Sequence, residues 1–307
     1  MKVAALDLGS NTFLCLIAEV KNNKITEIYE DAVEIVRLGQ GLNENKRFHP
    51  EALTRAQKCL THFNQLIQKH RPENVLAMAT SAARDAENQN ELFTLGRELN
   101  IPIEIIPGEK EAVITFEGAT SGMNADDAGL LVIDIGGGST EFIFGKNNRV
   151  LAGESYNIGC VRLTEKFIKN QPTPIAELQA AVEFIRADLE KAFRLMPKNF
   201  QLQNVLAVAG TPTSLVAAEL GYFDPKKIDG FELSQIKLEQ WVKKLAQASI
   251  QDKISMGIPA GRADVILIGA ITLLETLKIF KQNKLTVSTR GVRFGVALEI
   301  FRRHSAC

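Results

Sequence analysis

Two short loops in this sequence combine an aspartate with glycine, serine, asparagine and threonine residues, the types that bind phosphate groups and hydrated cations. The first loop runs Asp7-Leu8-Gly9-Ser10-Asn11-Thr12, and the second runs Asp134-Ile135-Gly136-Gly137-Gly138-Ser139-Thr140. Small residues leave backbone N–H groups open to phosphate oxygens, and a carboxylate at a strand end suits a divalent cation or its waters. One such loop alone indicates a hairpin turn, whereas two matched copies predict a pair of phosphate-binding loops.

The two loops belong to an internal repeat. Their aspartates lie 127 residues apart, and each loop stands between two apolar runs that are followed by an asparagine-containing turn. A strand–turn–strand unit repeated in two halves is a stronger signal than either motif alone. Neither copy is a Walker A loop, since no Gly-Lys-Ser/Thr follows, and Glu141 stands where a dinucleotide-binding loop has its third glycine.

Three charged residues outside the glycine-rich turns are further candidates for chemistry. Glu141 follows the second turn and, on a strand–turn–strand unit, can face the same side as Asp134. Glu111 opens a predicted helix, and Arg84 follows a predicted buried strand, where a guanidinium can bind phosphate through two donors. Acidic groups beside a polyanion require a metal ion or a proton between them. Each residue also has an ordinary explanation: a solvated hairpin carboxylate, a favourable charge at a helix start and a surface arginine.

The elements that must position these residues alternate along the chain. Apolar spacing predicts helices over 51–70, 89–99 and 109–120, with strands over 75–79 and 101–106, and further on a helix with its apolar stripe over 178–193 and a strand over 205–209. Strands and helices that alternate after a meander predict mixed α/β sheets. The small, polar segment 121–128 suits a hinge about which two halves close.

Composition narrows the class of protein. The chain has 307 residues, enough for two domains, and its 45% hydrophobic and 23% charged residues are those of a globular protein. Thirty-six basic residues balance thirty-six acidic ones, which argues against a protein that coats nucleic acid or an anionic membrane. The four cysteines lack the spacing of a zinc site, and no apolar run has the length of a membrane span. We therefore expect a cytoplasmic protein without nucleic-acid or membrane partners.

Several motifs occur in the order of a known family. Besides the two loops, they are Ala79-Thr80-Ser81 with Arg84, Pro107-Gly108-Glu109-Lys110-Glu111-Ala112, Ala209-Gly210-Thr211, Gly261-Arg262-Ala263-Asp264 and Val287-Ser288-Thr289-Arg290-Gly291. Together they resemble the exopolyphosphatase / guanosine pentaphosphate phosphatase (Ppx/GppA) family of the actin–sugar kinase–Hsp70 superfamily, over nearly the whole chain. The resemblance implies an α/β fold of two ribonuclease-H-like (actin-like ATPase) domains, with mixed β-sheets flanked by helices and an active cleft between them. The first domain would cover residues 1–124, with a helix over 297–307 packed on it. The second domain would cover residues 125–296.

The resemblance also implies an activity and a set of residues for it. The protein would be a phosphoanhydride hydrolase that releases terminal phosphate from polyphosphate or guanosine pentaphosphate with Mg²⁺ or Mn²⁺, and would form a homodimer. Glu111 would be the general base, and Asp134 and Glu141 would be catalytic and, with Asp7, hold the metal. The residues implied for phosphate binding are Asp7, Gly9, Ser10, Asn11, Thr12, Arg84, Gly136, Gly137, Gly138, Ser139, Thr140, Gly210 and Thr211.

Some features depart from the family pattern. Val113 stands where the family often has an arginine, and Arg293-Phe294-Gly295 stands where it has Arg-Glu-Gly or Arg-Tyr-Gly. The sequence also ends at Cys307 without the helical HD-type domain of long members, so we expect a preference for short polyphosphate or nucleotides. Two other functions stay open: a superfamily kinase that uses ATP, with Gly210-Thr211 at its adenosine, and a non-catalytic sensor of a nucleotide or of guanosine tetraphosphate or pentaphosphate.

Overall fold

The computed structural model describes residues 1–123 and 127–305. Within those ranges the chain forms eleven strands, whose bounds are β1 (Lys2–Leu8), β2 (Thr12–Lys21), β3 (Lys24–Ile35), β4 (Asn74–Ala79), β5 (Ile103–Ile105), β6 (Gly129–Ile135), β7 (Thr140–Lys146), β8 (Arg149–Tyr156), β9 (Leu202–Val208), β10 (Glu232–Ser234) and β11 (Lys284–Val287). The predicted hinge over 121–128 includes residues 124–126, which lie outside the described residues.

Thirteen helices connect and cover these strands in the described part of the chain. Their bounds are α1 (Leu42–Asn45), α2 (Pro50–His70), α3 (Ser81–Asp85), α4 (Gln89–Glu98), α5 (Gly108–Thr120), α6 (Cys160–Phe167), α7 (Ile175–Leu195), α8 (Gly210–Leu220), α9 (Pro225–Ile228), α10 (Gln235–Gln247), α11 (Ile250–Ser255), α12 (Ile266–Ile279) and α13 (Val292–Ser305). None of the described helices is both long and apolar enough to cross a bilayer.

The chain divides into two units, and each unit contains one sheet. Unit 1 comprises residues 1–124 and 290–307, and unit 2 comprises residues 125–289. Residues 290–296, which the sequence motifs assign to the second domain, belong to unit 1 in the structure. The helix expected from Ala297 begins earlier, at Val292.

Unit 1 is a five-stranded sheet with helices on both faces. Its strand order is β3-β2-β1-β4-β5, with β1, β2 and β3 antiparallel and β1, β4 and β5 parallel. Because successive side chains of a strand point to opposite faces, β1 contributes Leu6 and Leu8 to the core under α2 and α4, and Val3 and Ala5 to the core under α5 and α13. A central strand that is buried on both faces is apolar at successive positions, as β1 is over residues 3–6.

The helix α13 approaches α5 so closely that two glycines are required. A Cβ atom added to Gly118 would lie 2.1 Å from the Gly291 carbonyl oxygen, and one added to Gly295 would lie 2.0 Å from the Ile114 carbonyl oxygen. Real Cβ atoms do not approach backbone atoms that closely. The backbone of α5, which carries Glu111, therefore packs directly on the C-terminal helix.

Unit 2 repeats the strand order of unit 1 with one strand added. The order β10-β11-β9-β6-β7-β8 has β6, β7 and β8 antiparallel and β6, β9 and β11 parallel. The added strand β10 pairs with β11 antiparallel. The apolar helix α12, with nearly every residue buried, lies at the centre of the unit and packs on α6, α7, α8 and α10. The predicted α/β fold of two ribonuclease-H-like units is confirmed.

Candidate active site

In unit 1, three parallel strands end beside one another and bring the predicted residues together. The carboxyl ends of β1 and β4 are adjacent, since Leu8 pairs with Ala79, and β5 follows with Ile105 beside Ala79. The Gly9–Thr12 turn follows β1, Arg84 lies in α3 after β4, and Glu111 lies in α5 after β5. Ligands of open α/β sheets bind at this edge, so the placement supports a functional site in unit 1.

The Gly9–Thr12 turn is closed by its own backbone and contains an unpaired polar atom. The Gly9 N–H donates to the Thr12 carbonyl at 3.1 Å. Ser10 and Asn11 are both buried, and the Asn11 Oδ1 atom has no hydrogen-bond partner. A buried polar atom without a partner is costly. The Asn11 Oδ1 atom is an acceptor, so a bound water or the water of a hydrated cation would satisfy it, while the amide nitrogen of the same side chain can donate to a phosphate oxygen.

Arg84 and Glu111 form a buried ion pair. Arg84 Nη1 donates to Glu111 Oε2 at 2.6 Å and to the Ile106 carbonyl at 2.8 Å, and Glu111 is 5% exposed. The pair fixes the direction of the Glu111 carboxylate, because Arg84 is itself held by the backbone at the end of β5. Arg84 is predicted from the sequence to bind phosphate, whereas in this structure its Nη1 atom binds the candidate base.

In unit 2, the glycine-rich loop has the same closure as the loop of unit 1. The Gly136 N–H donates to the Ser139 carbonyl at 3.0 Å, and a Cβ on Gly136 would meet that oxygen at 3.0 Å. Gly9 has the same relation to the Thr12 carbonyl, also at 3.0 Å. The internal repeat therefore extends from the sequence to the hydrogen bonds of the two turns.

The first residues of α6 hold the carbonyls of the glycine-rich loop. Cys160 N–H donates to the Gly136 carbonyl at 2.9 Å, and Val161 N–H to the Gly137 carbonyl at 2.9 Å. Arg162 Nε donates to the Gly138 carbonyl at 2.8 Å.

The direction of these carbonyls determines the direction of the next N–H groups. In a trans peptide the C=O of one residue and the N–H of the next point in opposite directions. Three consecutive carbonyls bound to α6 therefore turn the N–H groups of Gly137, Gly138 and Ser139 to the side away from that helix. Successive N–H groups on one side form an anion-binding concavity.

Asp134 and Glu141 stand opposite each other on β6 and β7. They are register partners in an antiparallel pair, and Ser155 of β8 is the next partner across the sheet. Glu141 Oε1 accepts from Ser139 Oγ at 2.8 Å and from Ser155 Oγ at 2.6 Å. Directly opposed residues have Cβ atoms about 4.5–5.5 Å apart, so the two carboxylates share one face of the sheet. Both are buried, at 7% and 1% exposed.

These two carboxylates fit the requirements of Mg²⁺ or Mn²⁺. Magnesium usually binds through one or two carboxylates together with substrate phosphates and waters. Within residues 1–123 and 127–305, no group of three or more histidine, cysteine or acidic side chains could hold a metal ion. The donor set therefore suits a cation that takes its remaining ligands from phosphate and water.

The start of α8 is strained. Ala209, which precedes the helix, has φ 73° and ψ −166°, a region that is essentially limited to glycine. Gly210 lies against the guanidinium of Arg262, since an added Cβ would be 2.3 Å from Arg262 Cζ, and Arg262 Nη1 donates to the Gly210 carbonyl at 3.2 Å. Burial lowers the pKa of Arg262. Strain of this kind persists where the surroundings impose it, and often at functional sites.

Two residues predicted to bind phosphate have side chains that are buried in the interior of unit 2. Thr140 is fully buried and its hydroxyl donates to the Ile158 carbonyl at 3.0 Å. Thr211 is 4% exposed, and its side chain packs against Gly269 of α12. Thr211 therefore offers its backbone, at the start of α8, rather than its hydroxyl.

The sequence alone does not predict the residues that contact the glycine-rich loop and the start of α8. A Cβ on Gly159 would lie 2.3 Å from the Gly138 carbonyl carbon and 2.4 Å from the Gly137 oxygen. Gly159 and Arg162 belong to a segment in which no phosphate motif was recognised and no helix was predicted, so the sequence offered no signal for their contacts with the loop. Arg262 was noticed as part of a motif, but nothing in the sequence assigned its contact with Gly210.

Similarity to known proteins identifies the class of this chain. The profile of the Ppx/GppA phosphatase family matches residues 16–304. Exopolyphosphatase 2 of Mycobacterium tuberculosis is 33% identical over 316 residues, which cover 97% of this chain and 98% of that protein. The guanosine-5'-triphosphate,3'-diphosphate pyrophosphatase of Photobacterium profundum is 28% identical over 304 residues, 98% of this chain and 59% of that protein. The crystal structure of the Aquifex aeolicus member of the Ppx/GppA family matches with a TM-score of 0.81 at 30% identity, over 99% of this chain and 98% of that one.

Two units that repeat the ribonuclease-H-like strand order define a protein of the actin-like ATPase fold. Within that class, the chain belongs to the Ppx/GppA phosphatase family. It is therefore a hydrolase.

Proposed function

We propose that this protein removes the terminal phosphate from inorganic polyphosphate, with a preference for short chains, and from guanosine pentaphosphate. The relatives named as an exopolyphosphatase and a guanosine pentaphosphate pyrophosphatase support both substrates. The zero formal net charge supports the preference for short chains, because a long polyanion gains most from a basic surface.

The ion pair of Arg84 with Glu111 is the observation that carries the mechanism. Glu111 is a buried carboxylate in a fixed direction at the edge where β1, β4 and β5 end. In the proposed reaction, Glu111 accepts a proton from a water molecule as the water oxygen attacks the terminal phosphorus. The bond from that phosphorus to the bridging oxygen breaks, and the shortened phosphate chain leaves.

The loops are proposed to bind the oxygens of the phosphate chain. The N–H groups of Gly137, Gly138 and Ser139 would donate to non-bridging oxygens, where negative charge must be stabilised in the transition state. The turn with Ser10 and Asn11 would bind phosphate through its own N–H groups and the Asn11 side chain. A Mg²⁺ or Mn²⁺ ion held by Asp134 and Glu141 would neutralise charge on the phosphate oxygens.

The first experiment measures phosphate release by the wild type, Glu111→Gln and the matched control Glu109→Gln, which alters an exposed carboxylate in the same helical turn. The substrates are short polyphosphate, long polyphosphate, guanosine pentaphosphate, and ATP without an acceptor. A positioned base contributes about 10²–10⁴ in rate, so Glu111→Gln should lower kcat by about that factor with little change in KM, while Glu109→Gln stays near the wild type.

Each other outcome decides against a part of the proposal. If no substrate yields phosphate, and ADP forms only when an acceptor is added, the protein is a kinase. Binding of guanosine pentaphosphate without turnover would make it a sensor. Equal rates for Glu111→Gln and the wild type would remove Glu111 from its role, and faster hydrolysis of long polyphosphate would reject the short-chain preference.

A further inference from the structure

Arg162 of α6 donates two hydrogen bonds to carbonyl groups of the glycine-rich loop. Its backbone N–H donates to the Gly137 carbonyl at 3.1 Å, and its Nε donates to the Gly138 carbonyl at 2.8 Å. It is the third residue of α6 and is partly buried. Among the bonds from α6 that hold the three loop carbonyls, the one to Gly138 comes from a side chain. A substitution can therefore remove that bond while the backbone bonds to Gly136 and Gly137 remain possible.

The internal repeat shows that this carbonyl is held in both units. Asn11 occupies in unit 1 the position that Gly138 occupies in unit 2, and its carbonyl accepts from the backbone N–H groups of Val36 and Arg37 at 3.0 and 2.8 Å. In unit 2 the Arg162 side chain provides the donor instead. The same acceptor is thus satisfied in two different ways, which indicates that the direction of this peptide group matters to both turns.

The peptide group that Arg162 holds carries the Ser139 N–H at its other end. Because the two ends of a trans peptide point in opposite directions, the bond to the Gly138 carbonyl fixes the Ser139 N–H on the side away from α6. Without the Nε donor, the peptide can rotate and that N–H no longer stays aligned with the N–H groups of Gly137 and Gly138.

We propose that Arg162 is a positioning residue of the reaction, which acts through the Gly138–Ser139 peptide group to keep the Ser139 N–H directed at the phosphate. The inference deepens the proposed function and rests on it for its kinetic consequences. A donor aimed at developing charge contributes most in the transition state, so the effect of losing Arg162 should fall mainly on kcat.

Three variants separate the hydrogen bond from the charge. Arg162→Met removes both, Arg162→Gln keeps an N–H donor without charge, and Arg162→Lys keeps a donor with charge. Since a small misplacement of a catalytic group costs up to about 100-fold, we expect Arg162→Met to lower kcat about 10- to 100-fold with a smaller change in KM, and both Gln and Lys to recover part of the loss. The control Arg149→Met removes an exposed arginine at the far end of the β7–β8 hairpin and should behave as the wild type.

The outcomes that overturn the inference are specific. Recovery by lysine alone, with a loss confined to KM that disappears at high salt, would assign Arg162 to attraction of the polyanion. A kcat of Arg162→Met equal to that of Arg149→Met would show that the loop does not need this bond. Thermal unfolding of all variants identifies any that merely lose stability, and the Gln and Lys variants then carry the test.

A binding measurement separates this inference from the proposed function. Inorganic pyrophosphate with Mg²⁺ is titrated calorimetrically into the wild type, Arg162→Met and Arg149→Met. Arg162→Met should bind pyrophosphate more weakly than the wild type, by a smaller factor than its loss of kcat, and equal affinity in all three would overturn the inference. If the wild type binds pyrophosphate but hydrolyses none of the substrates, the proposed function fails while the comparison of variants still decides the role of Arg162.

Discussion

Asp7 and Asp134 occupy equivalent positions in the repeat, but the residues that face them differ. Asp134 pairs with Glu141 across the sheet, whereas Asp7 pairs with Leu14. Unit 2 therefore presents two carboxylates on one face where unit 1 presents one carboxylate beside an apolar residue. Both units contain the same closed turn, but two carboxylates attract a divalent cation more strongly than one, so we expect unit 2 to contribute more to cation affinity than unit 1.

This difference predicts unequal effects on the metal requirement. Loss of a ligand or of a group that orients one weakens metal affinity about 10- to 100-fold, so Asp134→Asn should raise by that factor the Mg²⁺ concentration that gives half-maximal activity. Asp7→Asn should raise it less. The matched control is Glu154→Gln, which alters an exposed residue on the face of β8 opposite to Ser155.

The measurement is a Mg²⁺ titration of initial rate for each variant. The control should require the same Mg²⁺ concentration as the wild type. An Asp7→Asn shift as large as that of Asp134→Asn would show that the carboxylate pair of unit 2 is not the main source of metal affinity.

For single residues, the sequence predicts those that belong to a local motif. It does not predict those whose role depends on a contact with another element. The two glycine-rich loops are local motifs, so their residues could be assigned without a structure. Arg84 has its partner Glu111 in another helix, and Arg162 meets the loop only because α6 packs on it. Thr140 is adjacent to the loop in sequence, yet its side chain lies in the core because it is the first residue of β7, where alternate side chains point inward.

Among the elements, α8 begins after a strained residue. Ala209 adopts a backbone conformation that costs about 1–3 kcal/mol for a residue with a Cβ. Glycine adopts this conformation without strain. It lowers the free energy of unfolding by about 0.5–1 kcal/mol, however, because glycine loses more conformational freedom on folding than alanine does. Ala209→Gly should therefore raise the free energy of unfolding by about 1 kcal/mol.

Urea denaturation checks this prediction, with Ala217→Gly as the matched control within the same helix. Ala217 lies in the helical interior, where glycine costs about 1 kcal/mol relative to alanine, so the two substitutions should have opposite signs. Destabilisation by both would mean that the turn before α8 carries no strain for glycine to relieve.

The sequence predicts most elements, but it places the start of a helix wrongly where glycines interrupt the helical pattern. The long helix α2 is predicted because its apolar spacing is regular and Pro50 stands at its first turn, a favourable position. The start of α13 is missed because Gly291 and Gly295 have low helix propensity. Both glycines are needed where α13 lies against α5, so tertiary packing overrides the local signal and moves the boundary of unit 1.

For the molecule as a whole, buried thiols predict a loss of stability in alkali. Burial, with smaller contributions from Asp31 and Glu30, raises the pKa of Cys15 from its ordinary value of 9.0 to about 12. Burial, with a smaller contribution from Glu34, also raises the pKa of Cys59. In the folded protein these thiols keep their protons to higher pH than in the unfolded chain. Their contribution to stability is therefore complete below pH 9 and is lost as the pH rises from 9 towards 12.

Each thiol should add about 1.4 kcal/mol per pH unit to the decline in this window. The free energy of unfolding, measured from pH 8 to 11, should fall less steeply in the Cys15→Ala/Cys59→Ala variant than in the wild type. Val20→Ala, which truncates a fully buried residue of unit 1 without removing a thiol, should lower stability and keep the wild-type slope. Parallel slopes in all three proteins would contradict the prediction.

The packing of α13 on unit 1 also has a consequence for synthesis on the ribosome. Unit 2 is one uninterrupted stretch of chain, whereas unit 1 is assembled from stretches on either side of it. The β1–β5 sheet emerges first, yet one apolar face, including Val3, Ala5 and Leu16, stays incompletely covered until Val292 and the residues after it have been translated. The nascent first sheet therefore exposes apolar surface while the whole of unit 2 is translated. Exposed apolar surface promotes aggregation, so a chaperone would be needed most during this interval.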